Sequence, residues 1–116
     1  MTLTDHQGTP VVTASGDFDI ASAPLLREAF LEALLASNRT VLDLSGTTFV
    51  DSTVLSIIVE ARKRAATGGG WLRIAAPRPN IRRVFRLLAL DTIIGIYASV
   101  AEAVEDAVRD IDLAVH

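Results

Sequence analysis

Short apolar stretches that read as strands alternate along this chain with stretches of helical period, and that alternation restricts the fold more than any other feature. Residues 11–16 read as a strand, paired with a short one near Leu3 across the turn at Gly8-Thr9-Pro10. Ser22 suits the N-cap of a helix that tolerates Pro24 in its first turn and runs to about Ser37. Its buried face is marked by Leu25, Leu26, Ala29, Phe30, Ala33 and Leu34. Residues 40–44 form a short strand, residues 45–50 a loop, and Asp51 caps a second helix that three glycines stop after Thr67. Residues 71–75 make the next strand. Pro77 and Pro79 then introduce a helix through Leu88, residues 93–97 a last strand, and Ser99 a final helix through Arg109.

The order ββαβαβαβα implies an α/β fold: a mostly parallel five-stranded sheet with four helices and an N-terminal hairpin, spanning residues 1–116 as one domain. Right-handed crossovers bring the loops at the C-terminal ends of the strands to one edge. Asp17, Asp19, Asp51, Ser52 and Thr53 are expected to converge there. That edge is the candidate functional surface.

Several chemistries are poorly served. Eleven Lys and Arg against fourteen Asp and Glu leave a net charge of −3, which opposes nucleic-acid binding. Lys63 is the one lysine, so a phosphate-loop lysine or Schiff base has almost no supply. The two histidines, His6 and His116, lie near the chain ends, and cysteine is absent, so neither a catalytic triad nor a metal site is expected. No cofactor is expected either. Gly68-Gly69-Gly70 runs from helix into strand, the wrong direction for a phosphate cradle, and reads as a helix stop. Asp17, Asp19, Asp43 and Asp51 resemble a phosphoryl-accepting acidic pocket, but the lysine such a pocket takes from its last strand is missing. The longest apolar runs fall far short of the roughly 20 residues that cross a bilayer, so no membrane insertion is expected. The first residues carry neither the basic start nor the apolar stretch of a secretory signal, and the expected location is the cytoplasm.

Two helices carry more than a core requires. On the second, residues 54–66 spread apolar positions over about 200°, where a core-facing stripe needs somewhat more than about 100°. The excess, around Val54, Ile57 and Ala61 or around Val59 and Ala66, is either covered by neighbouring helices or left for a partner. Val54 and Ile57 are taken as part of the partner surface. On the third, Arg78, Arg82 and Arg86 form an i, i+4, i+8 stripe with Arg83 beside it. This is either a solvated face or a site for an acidic partner or nucleotide phosphate.

Three blocks resemble the STAS domains of bacterial anti-sigma-factor antagonists: Gly16-Asp17-Phe18-Asp19, Phe49-Val50-Asp51-Ser52-Thr53, and Pro79-Asn80-Ile81-Arg82-Arg83-Val84-Phe85. The resemblance covers nearly the whole chain. It implies a non-enzymatic regulator that binds an anti-sigma factor serine/threonine kinase and frees the sigma factor. Phosphorylation at the position of Thr53 would end the complex, and a serine/threonine phosphatase would reset it. On this reading Thr53 is the phosphoacceptor, Asp51 orients it, and Asp17, Asp19, Ser52, Val54 and Ile57 belong to the docking surface of a monomer or weak dimer. The chain departs from the family pattern at Val54 and Ala89, both positions where relatives usually or often carry glycine. The alternatives are a STAS accessory subunit of a membrane transport system and a scaffold variant that is not phosphorylated.

Overall fold

Leu3 on one strand faces Val12 on the next, and this pairing opens the sheet in the computed structural model, which describes residues 1–107. β1 (Thr2–His6) runs antiparallel to β2 (Thr9–Phe18). The remaining elements are α1 (Ala23–Ala36), β3 (Arg39–Val50), α2 (Ser52–Thr67), β4 (Trp71–Ala75), α3 (Pro79–Leu87), β5 (Gly95–Tyr97) and α4 (Val100–Glu105). The sheet order is β1-β2-β3-β4-β5, parallel from β2 to β5. Each parallel pair is joined by a helix, as the alternation demands.

Alternate residues of the central strands face opposite ways. Val12, Ala14, Leu42, Leu44, Leu72 and Ile74 point to one face, where α1, α2 and α3 bury Leu26, Phe30, Ile58, Ile81 and Phe85 against them. Val11, Val41, Trp71 and Ala75 point to the other, which α4 covers through Ala103 with Val100 and Val104. Arg73 stands on that second face and is 0% exposed. Its Nη1 donates to the carbonyls of Ala103 and Asp106, each at 2.8 Å, and its guanidinium lies 4.0 Å from the Trp71 ring centroid and 5.3 Å from that of Tyr97. The Tyr97 hydroxyl donates to Asp106 Oδ2 at 2.6 Å. A cation thus serves the carbonyl end of α4, where the helix dipole favours positive charge.

The glycine run ends α2 as its direction suggests. The N–H groups of Gly68, Gly69 and Gly70 donate to Arg64, Ala66 and Ala65 carbonyls, and Gly69 takes φ +80°, which a side chain would strain. Gly70 is needed for a different reason: a Cβ there would sit 1.8 Å from the Asn38 carbonyl oxygen.

Four expectations need correction. Residues 45–50 are strand, not loop: β3 continues to Val50 because Ser15, Gly16, Asp17 and Phe18 of β2 offer it backbone partners through two register shifts. Ser22 occupies the N-cap position of α1 but its side chain makes no capping bond. Asp19 does that work: its Oδ1 accepts from the N–H of Ala21 at 2.9 Å and of Ser22 at 3.3 Å, and its carbonyl accepts from Ala23. A 3-10 turn, Leu90–Thr92, follows α3 and shortens β5 to three residues. α4 ends at Glu105, four residues before the expected limit; Arg109, like His116, lies outside the described residues.

Candidate functional site

The parallel register of β2 and β3 sets Asp17 opposite Phe49 and Phe18 opposite Val50, and the next backbone bond, from Asp51 N to Phe18 O at 3.1 Å, carries the ladder to the start of α2. Asp51 is extended, and its Oδ1 accepts from Val54 N at 3.0 Å, so it caps α2 as its residue type and position suggest. Two residues on, Thr53 lies half-buried in the first helical turn beside exposed Ser52. Its hydroxyl makes no hydrogen bond among the described residues.

Asp17 and Asp19 reach the same edge, on different duties. Exposed Asp17 accepts from the Thr48 hydroxyl and so ties the last turns of β2 and β3 together. Half-buried Asp19 starts α1. The start of α3 closes the edge from the other side. Asn80 Nδ2 donates to the Thr48 carbonyl at 3.2 Å, and Arg78 Nε to that of Ser45 at 3.3 Å. Thr48 and Asn80 are structural members of the site that pattern reading did not single out. Arg78, the first residue of the basic stripe, belongs with them.

Val54 and Ile57 do not belong to this surface. They are 1% and 3% exposed, packed in the main core, and Ile57 lines a notch with Phe30, Leu31 and Leu34 of α1. α1 therefore absorbs the excess apolar arc of α2. The free flank is the opposite one: Ser52, Leu55, Ser56, Val59, Glu60 and Lys63 line an open groove against Leu88 and Leu90. Of the two flanks considered in the sequence, the one bearing Val59 faces out. Phe49 at 50% exposure and Ile20 at 72% add apolar area along the edge. No local alternation marks Phe49: Thr47 and Val50 are buried while Thr48 and Phe49 between them are exposed, a break in period that accompanies the register shifts between β2 and β3.

His6 is in β1, and no group of three His, Cys, Asp or Glu among the described residues could hold a metal ion. No helix among those residues is long and apolar enough to cross a membrane. What the edge presents is an accessible hydroxyl, a capped helix start, three carboxylates and exposed apolar side chains. Such a surface suits docking to another protein.

Comparison with known proteins agrees with the fold. The STAS domain family matches residues 1–103. A Thermotoga maritima protein named as a candidate anti-sigma factor antagonist is 29% identical over 101 residues, covering 85% of this chain and 89% of its own. The anti-sigma-F factor antagonist RsfB of Mycobacterium tuberculosis is 29% identical over 105 residues, covering 89% and 84%. A crystal structure of a Thermotoga maritima protein described as a candidate anti-sigma factor antagonist superposes with a TM-score of 0.83 at 25% identity, over 90% of this chain and 91% of that one.

Proposed function

The chain belongs to the STAS domain family, and from that premise we propose that it is an anti-sigma-factor antagonist whose Thr53 edge docks on an anti-sigma factor and frees the sigma factor. The partner is a serine/threonine kinase; it phosphorylates Thr53, the complex dissociates, and a serine/threonine phosphatase restores the binding form. The names of the two relatives support the antagonist role. The observation that carries the switch is the position of Thr53: a hydroxyl without a hydrogen bond among the described residues, in the first turn of a capped helix, with exposed Ser52 and Phe49 beside it.

Magnitudes say how such a switch works. A phosphate brings about −1.5 to −2 charges, and at a helix N-terminus that gains at most about 1 kcal/mol, so the fold should hardly respond. Weakening a complex from nanomolar to micromolar takes about 4 kcal/mol. Burying an unpaired charge in a docked interface is on that scale. Asp17, Asp19 and Asp51 supply like charge on the same edge and do not neutralise the phosphate.

The test compares protein phosphorylated at Thr53 with unmodified protein for binding to the anti-sigma factor recovered from the native cell. Phosphorylation should weaken binding at least a hundredfold while leaving the circular dichroism spectrum unchanged. Thr53→Ala should bind at least as well as wild type and accept no label from the kinase with ATP. Equal affinity of the two forms would end the switch.

A further inference from the structure

The helix layer carries two exposed faces of opposite charge that the Thr53 edge does not use. α1 turns Arg27, Glu28, Leu31, Glu32 and Leu35 outward, with Glu28 and Glu32 on the flank away from Arg27, and Leu35 is 90% exposed. α3 turns Arg82, Arg83, Arg86 and Leu87 outward, and Leu87 is 71% exposed. Neither face satisfies the other within the chain: the one ion pair among the described residues joins Arg64 to Glu60.

We propose that these faces bind each other between copies of this chain, α1 of one molecule against α3 of the next. Glu28 and Glu32 are one helical turn apart, as are Arg82 and Arg86, so two adjacent helices can set both carboxylates against both guanidinium groups. On each helix a leucine lies within one turn of those charges, Leu35 after Glu32 and Leu87 after Arg83, and docking removes both from water. A second copy is the occupant because one surface carries both complementary halves. The same fact makes the contact head-to-tail: each molecule has one donor face and one acceptor face, and the assembly grows as a chain unless it closes into a ring. Exposed ion pairs contribute little individually and are screened by salt, so the association is weak and needs high protein concentration. This inference is independent of phosphorylation at Thr53.

Sedimentation equilibrium at low salt should give an average mass that climbs above the monomer with concentration and falls back in about 1 M salt, where the screening length is about 3 Å. Glu28→Arg with Glu32→Arg leaves both faces basic; Arg82→Glu with Arg86→Glu leaves both acidic. Each double variant alone should stay monomeric, and their equimolar mixture should associate at least tenfold more tightly than either. Leu35→Arg, at a side chain with almost no folding contacts to lose, should abolish association by itself. A wild-type chain monomeric at every concentration at low salt overturns the proposal. So do charge-reversed variants that associate as wild type does, or a mixture that stays monomeric.

Discussion

The Thr53 edge and the Arg73 cluster both use polar side chains to hold backbone groups, but in different surroundings. At the edge, Asp17, Asp19, Arg78 and Asn80 bind hydroxyls, N–H groups and carbonyls that water also reaches. Any one of these bonds is exchanged for water at small cost, since a typical net contribution is about 1 kcal/mol. On the far face of the sheet, Arg73 is sealed under α4, where its guanidinium is the donor to two carbonyls and stacks near two rings. Losing it leaves buried acceptors without partners, which costs more than the bonds themselves gained. The contrast teaches where this small domain can afford change: the edge is free to evolve toward a partner because the interior carries the stability.

Substitutions at four positions test that division, beginning with the most damaging. Ile57→Asp places a carboxylate at a 3% exposed position between α1 and α2, and urea denaturation should show a loss of about 4 kcal/mol or more, enough to unfold a marginal domain. A folded variant that has only lost its partner would return Ile57 to the docking surface. Arg73→Ala should cost about 3 kcal/mol by the same measurement and loosen α4 in hydrogen exchange. Arg73→Met, which keeps much of the stem packing, separates the hydrogen bonds from the volume; if both variants lose less than about 1 kcal/mol, the contrast between the regions fails.

At the edge the effects shrink. Asp51→Ala removes the cap of α2 and should cost about 1 kcal/mol of stability, while weakening the partner complex by a larger factor than that loss explains. Ala89→Gly should stabilise the fold by about 0.5–1 kcal/mol, because Ala89 closes α3 at φ +57°, a left-handed conformation that costs a side chain energy and glycine nothing. Partner affinity should not move.

How far the residues speak for themselves differs between elements. The order of strands and helices is determined by apolar period, and the stop at Gly68-Gly69-Gly70 and the cap at Asp51 by residues within a few positions of one another. Local chemistry suffices there. It misleads at Ser22, whose cap position is outcompeted by Asp19 three residues earlier, and at residues 45–50, whose serine, glycine and threonines resemble a loop until β2 is laid alongside.

The sequence alone determines the α/β alternation, the two ends of α2 and the blocks that mark the STAS family, because each depends on bonds and periods that close within one element or its flanks. Only the tertiary structure decides which flank of α2 is covered, how far β3 extends, and whether Arg73 meets water or α4. Those outcomes turn on Leu31, Phe18 and Ala103, partners some thirty residues away in the chain, and no local pattern encodes which surface will arrive to bury a side chain.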